Sequence, residues 1–214
     1  LSEGSHGAAS VEVESKYDVD DTTPLPDWSG LPGVVRVGEP EPRDLDARYL
    51  DTAGADLARA GIAVRRRLGG PDAGWHVKGP ARGGGRTETQ WPLEADLDPE
   101  AEPVVPPAVQ DAVASVAVPP FVPLARVRNN RTAYALLDTD GGEVAEFVDD
   151  RVRARDERRG VESAWREWEV ELGPAAPADD EGRAAFFAAV DAAVFAAGGR
   201  PAASGSKLAR ALGH

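Results

Sequence analysis

The chain has 214 residues, 42% hydrophobic and 29% charged, a balance that fits a globular domain able to bury a substantial core. Its net charge of −13 argues against a broad nucleic-acid-binding surface, because backbone phosphates repel an acidic protein. The absence of cysteine excludes disulfides and thiolate metal sites, and three scattered histidines (His6, His76, His214) exclude a histidine-based zinc site, so any metal is held by oxygen.

The start "LSEGSHGAAS" lacks the basic and apolar parts of a signal peptide, and no apolar run approaches the roughly 20 residues that span a bilayer. A cytoplasmic location, with no membrane partner, is the resulting expectation. There is no methionine, even at position 1, which reads as a processed or excised chain. Residues 1–9, with His6, are expected to be disordered or tag-derived, and residues 10–212 to form one domain.

The first predicted element is a strand at Val11 to Lys16, where strict alternation puts Glu12, Glu14 and Lys16 on one face. A Pro/Gly/Asp-rich loop follows, with Trp28 and Leu31 as packing anchors. "RDLDARYLDT" reads as a strand. A short helix then ends near Gly61, and a strand runs from Ile62 to Leu68. "AGWHVKGP" and "RTETQWPLE" are short strands separated by the glycines 83–85. A helix is expected from about Pro107. Three longer strands follow in "FVPLARVRNNRTAYALLD", "EVAEFVDDRVRA" and "SAWREWEVEL", the first two joined by a turn at "TDGG". Asp180 to Ala197 reads as a helix with Phe186, Phe187, Val190, Val194 and Phe195 near one stripe, and "SGSKLARAL" as a last short helix.

About eight strands with short connections and a few helices make an α+β, mainly antiparallel fold. Its economical form is an eight-stranded β-barrel, because closure removes exposed edges. Charge on an amphipathic strand ordinarily faces water. Here the pattern repeats: Arg65 with Arg67, His76 with Lys78, Arg86 with Glu88 and Gln90, and Glu167 with Glu169 and Glu171 each share a face, often opposite an apolar one. If the apolar faces pack against helices, the charged ones line a channel. Such a channel suits a polyanion bridged by a hard divalent cation, Mg²⁺ or Mn²⁺, since carboxylates suit the metal and Arg and Lys suit phosphate oxygens. The chain carries 21 arginines and only three lysines, Lys16, Lys78 and Lys207, which marks those three positions.

These residues resemble the CYTH family, named for class IV adenylyl cyclases and thiamine triphosphatases and part of the triphosphate tunnel metalloenzymes. The Glu-x-Glu-x-Lys signature stands at Glu12, Glu14 and Lys16. "YLDT" at Tyr49 to Thr52, Arg65 and Arg67, Lys78, "RTE" at Arg86 to Glu88, the aspartate of "DDRV", the late Glu-x-Glu strand, and Ser206 with Lys207 follow in order. The resemblance implies an eight-stranded tunnel binding a triphosphate with a divalent metal. By position, Lys16, Arg65, Arg67, Lys78, Arg86, Arg131 and Lys207 would contact phosphates. Glu12, Glu14, Asp150, Glu167, Glu169 and Glu171 would hold metal or orient water, with Glu14, Lys16 and Glu169 catalytic.

Where many relatives have Lys-x-Arg before an aromatic, this chain has Asn129 and Arg131 before Tyr134, so one cation is missing; Arg126 and Arg128, of the opposite parity, could substitute only if register or a bulge rotated them inward. Asp150 fits the family aspartate better than Asp149, although parity alone does not choose between them. The implied activity is metal-dependent hydrolysis of a terminal phosphoanhydride, with inorganic tripolyphosphate first among substrates. Two alternatives stand beside it: a non-catalytic polyphosphate-binding module, with a helical CHAD domain C-terminal to it in the parent protein, and an adenylyl cyclase or thiamine triphosphatase.

Overall fold

The computed structural model describes residues 7–83 and 85–214. His6 and the rest of residues 1–6 lie outside the described residues, while Ala8 and Ala9 already belong to the first strand. In chain order the elements are β1 (Ala8–Glu12), β2 (Glu14–Val19), β3 (Arg36–Val37), β4 (Glu41–Thr52), α1 (Asp56–Arg59), β5 (Ala63–Leu68), β6 (Gly74–Arg82) and β7 (Gly85–Trp91). Then come α2 (Pro107–Val113), β8 (Phe121–Leu137), β9 (Glu143–Asp156), β10 (Val161–Leu172), α3 (Asp180–Ala197), β11 (Arg200–Pro201) and α4 (Lys207–Ala211).

All strands join one antiparallel sheet in the order β1-β7-β6-β5-β4-β8-β9-β10-β2-β11, with the two-residue β3 added on β8. Sequence predicts an eight-stranded closed barrel; the described residues form eleven strands, and their hydrogen-bonded path is open. Two causes are visible. Val13 interrupts the N-terminal stretch, so β1 pairs with β7 at one end of the path while β2 pairs with β10 near the other. Both β3 and β11 are two-residue additions with no periodic signal in the sequence.

The outer, apolar strand faces are covered by helices. α3 packs Phe186, Val190 and Val194 onto Trp168, Val170 and Phe147, and the loop residues Trp28 and Leu31 join the same cluster. The predicted α3 stripe is narrower than its sequence suggests, because Phe195 points toward solvent. Asp179 caps α3 by accepting from the Gly182 N–H at 2.7 Å, and Gly198 ends it with φ 102°, a left-handed conformation that glycine adopts without a Cβ penalty. α1 and α2 cover Trp75, Val64 and Leu50. α4 sets Leu208 and Ala211 against Tyr49, Val127 and Val152. No helix of the described residues is long and apolar enough to cross a membrane.

Candidate functional site

With helices on the apolar side, the charged strand faces turn inward onto a cavity of about 330 Å³. Its wall carries eight cationic side chains against six carboxylates, a local positive excess in a chain of net charge −13. Of the residues expected to bind phosphate, Lys16, Arg65, Arg67, Lys78, Arg86, Arg131 and Lys207 all line it. Glu12, Glu14, Glu169 and Glu171 line it too, while Asp150 and Glu167 are buried behind its surface.

The cationic wall is only partly neutralised. Lys78 Nζ lies 2.6 Å from Glu12 and 3.4 Å from Glu88. Arg65 donates to the Tyr49 hydroxyl at 3.3 Å and lies 3.4 Å from Glu88, and Arg67 donates to the Asp72 carbonyl at 3.2 Å and contacts the Asp72 carboxylate. The Nε atoms of Arg65, Arg67 and Arg86 are buried without a hydrogen-bond partner. Burial, together with the neighbouring Arg65 and Arg131, pushes the Arg67 guanidinium down to about 9, the direction expected where cations are crowded. An anion entering here would relieve both the crowding and the unpaired donors.

A second group gathers around Glu169. Lys16 Nζ contacts its carboxylate and stands 3.0 Å from Glu14. Arg131 forks onto Asp150 at 2.8 and 2.7 Å and reaches Glu169 at 2.9 Å. Asp150, Glu167 and Glu169 converge within 4.8 Å, an acidic trio of the kind that could hold a metal. Here the Lys207 ammonium stands among them, 2.8 Å from Asp150, 2.6 Å from Glu167 and 2.8 Å from Glu169. Burial alone would lower the Lys207 pKa, yet Asp150, Glu169 and Glu167 outweigh it and hold the ammonium above its ordinary range. The Ser206 hydroxyl accepts the Ala209 N–H at 3.1 Å, so the "SK" pair works as a cap that starts α4 and a cation that its first residue delivers.

The remaining carboxylates are less well compensated. Register puts Glu14, Glu171 and Glu146 directly opposite one another on β2, β10 and β9. Like charges in that relation repel. Glu146 is held by Arg43 at 3.1 and 2.9 Å, and Glu14 by Lys16. Glu171 has no ion pair or hydrogen bond among the described residues, and burial with the facing Glu14 raises its carboxyl to about 7. Burial and the hydrogen bond with Glu88 bring Glu12 to about 7 as well.

Both positions that parity left open are decided by what each side chain touches. Asp150 is fully buried beside the cavity, while Asp149 accepts from Arg166 at 2.8 Å on the outer face. Asn129 and Arg131 face the cavity; Arg126 and Arg128 face outward, Arg126 onto Asp46 at 3.0 Å. Arg43, Glu146, Tyr49 and Asp72 are lining residues that were not among the predicted site residues. Their signal was parity: Glu146 is in phase with Asp150, and Arg43 with Leu45 and Ala47.

A CYTH domain model matches residues 10–185. The chain belongs to the CYTH family. This CYTH domain is 39% identical over 217 residues to two Mycobacterium tuberculosis proteins, Rv2226 and MT2285, with 96% of the chain covered. It spans 41% of their length. Among solved structures, a candidate adenylate cyclase from Bacillus halodurans superimposes with a TM-score of 0.59 at 16% identity, covering 94% of this chain and 97% of that one. The PH1819 protein from Pyrococcus horikoshii gives 0.55 at 15% identity, covering 94% and 98%. HpAC1 from Hippeastrum, described as a candidate adenylyl cyclase with a dominant triphosphatase activity, gives 0.53 at 18%, covering 94% and 95%. These likenesses establish the fold, a mainly antiparallel sheet with a few helices.

Proposed function

We propose that this CYTH domain is a divalent-metal-dependent triphosphatase that hydrolyses inorganic tripolyphosphate in a tunnel closed through the β1–β2 stretch. The observation that carries the reading is the pairing of unpartnered guanidinium Nε atoms on Arg65, Arg67 and Arg86 with an uncompensated carboxylate on Glu171, all in one cavity. The closure rests on the N-terminal stretch pairing at both ends of the strand path.

The donor set fits a hard cation. Glu14 and Glu171 face each other with charge left over, and their oxygens suit Mg²⁺ or Mn²⁺. The Asp150, Glu167 and Glu169 trio has its cation already, in Lys207. In this reading Glu14 and Glu171 hold the ion, and the trio positions Lys207 and Arg131. When bound, the metal polarises phosphoryl oxygens and offsets the charge that develops on them.

Arg65, Arg67, Lys78, Arg86 and Arg131 bind the phosphate chain and stabilise charge on its equatorial and bridging oxygens. Glu169 keeps Lys16 and Lys207 aimed at the same side. Glu12, a base with its carboxyl near 7, orients a water and accepts its proton at a carboxylate oxygen. The water oxygen bonds to the terminal phosphorus, the bond to the bridging oxygen breaks, and phosphate and pyrophosphate leave.

The triphosphatase activity of the Hippeastrum protein supports hydrolysis, and the adenylate cyclase description of the Bacillus protein keeps cyclisation of ATP as the alternative. A second alternative is a polyphosphate-binding module joined to a CHAD domain; the mycobacterial relatives, of which this chain spans 41%, have length for a further domain. The test is phosphate release from tripolyphosphate, ATP and thiamine triphosphate with Mg²⁺ or Mn²⁺. Turnover of tripolyphosphate is expected; its absence in a folded sample that still binds polyphosphate would favour the binding module.

A further inference from the structure

The outer face of the same sheet carries a feature that the cavity chemistry does not use. Register places Arg66, Arg48, Arg126 and Arg155 directly opposite one another across β5, β4, β8 and β9. In the next row Arg128 faces Arg153 across β8 and β9. Directly opposed residues have Cα atoms about 4.5–5.5 Å apart, where like charges destabilise the sheet.

Compensation fades along the face. Arg48 and Arg66 are tied to the carbonyls of Pro99 and Ala101. Arg126 forks onto Asp46, and Arg155 reaches Glu157 at 3.2 Å and Glu162 at 3.0 Å. Arg128, 61% exposed, has only a 3.8 Å contact to Asp46 that Arg126 already occupies. Arg153, its exposed neighbour, has no ion pair or hydrogen bond among the described residues. Between them lies a shallow concavity whose apolar lining is two alanines, Ala154 and Ala164.

We propose that this β8–β9 face, centred on Arg128 and Arg153, is a second anion-binding surface for a long inorganic polyphosphate chain. The chemistry of the surface selects the ligand. It offers guanidinium forks at close spacing, with no aromatic ring on which a nucleobase could stack and no apolar groove to bury a peptide side chain. Glu157 and Glu162 also line the concavity but are taken by Arg155, which leaves Arg128 and Arg153 as the cations open to a polyanion. Outside this patch and the cavity the net −13 chain repels polyanions, which confines where a long chain can lie.

The proposal stands apart from the reaction in the cavity, and the test separates them. Long-chain sodium polyphosphate, tripolyphosphate and an oligo-dT of matched charge are titrated against the chain and against Arg128→Glu/Arg153→Glu, Arg128→Gln/Arg153→Gln and Lys16→Ala. Circular dichroism checks each fold. The reversed pair is expected to lose at least tenfold in long-polyphosphate affinity, and the Gln pair less, with tripolyphosphate binding unchanged. Lys16→Ala is expected to show the converse. Wild-type affinity for long polyphosphate in the reversed pair overturns the proposal, as does binding of oligo-dT as tight as that of polyphosphate.

Discussion

Lys207, in the last short helix, stands 2.8 Å from Glu169 on β10, so the end of the described chain supplies the cation at the centre of the acidic trio. Lys207→Ala leaves Asp150, Glu167 and Glu169 sharing a buried space with only Arg131, at Asp150 and Glu169, and Lys16, at Glu169, as counter-charges. Removing one partner from a buried ionic group costs about 3–5 kcal/mol. Urea unfolding should show a loss of that size, with Ser206→Ala losing only the cap, about 1 kcal/mol. Equal losses in the two variants would contradict this account of the trio.

Glu171→Gln should separate function from stability. The substitution keeps the shape and removes a charge that faces Glu14 and Glu146 with no partner of its own. The metal-free protein should gain about 0.5–1 kcal/mol in denaturant unfolding. Metal-dependent phosphate release should fall by about 100-fold or more, as expected when a ligand or transition-state contact is lost. A variant both less stable and fully active would remove Glu171 from the site.

Arg131→Ala strands Asp150, which is fully buried, and loosens Glu169. A destabilisation of about 3–5 kcal/mol is expected. Arg131→Lys should recover part of it but not the two-pronged contact, because an ammonium cannot fork. Thermal melts of the pair against wild type would show the order wild type, Lys, Ala.

Asp51 explains part of "YLDT" without chemistry. Its carboxylate accepts the N–H groups of Thr52, Leu57 and Ala58 at 2.7, 3.0 and 3.0 Å, pinning the four-residue α1 against β4. Asp51→Ala should destabilise by about 2–3 kcal/mol, since buried donors lose their acceptor. KM for tripolyphosphate should hardly move in the folded fraction. A large KM increase would assign Asp51 to the site.

Asp156 should contribute to acid sensitivity. Its side chain is almost fully buried and accepts from the backbone N–H groups of Arg158 and Arg159 at 2.9 and 3.0 Å and from Arg159 Nε at 2.6 Å. Although burial raises its pKa, these bonds outweigh it and hold the carboxyl below the ordinary 3.8. A depressed folded pKa stabilises above the unfolded value and that stabilisation is lost as pH falls through the folded one. Unfolding free energies from pH 6 down to pH 3 should therefore fall less steeply for Asp156→Asn than for wild type.

Much of the site was legible because a strand repeats every two residues. Glu12, Glu14 and Lys16, or Glu167, Glu169 and Glu171, share a face whatever they pair with, whereas the inward aim of Asn129 and Arg131 was settled only by the structure. The family signature named the same positions. Parity was silent where two adjacent residues are alike: Asp149 and Asp150 separated only once Arg166 and Arg131 were seen to claim one each. It also could not foresee the break at Val13, which divides one predicted strand between two neighbours.

From sequence alone came the strand and helix order, the sidedness of each strand and the list of candidate cations and carboxylates, because these depend on local period and residue chemistry. Tertiary structure decided which charges meet: that Lys207 stands among Asp150, Glu167 and Glu169, that Glu171 faces Glu14, and that Arg128 faces Arg153 outside. Those relations depend on register between strands distant in the chain and on where α4 docks, and a Coulomb interaction acts through distance in space, not in sequence.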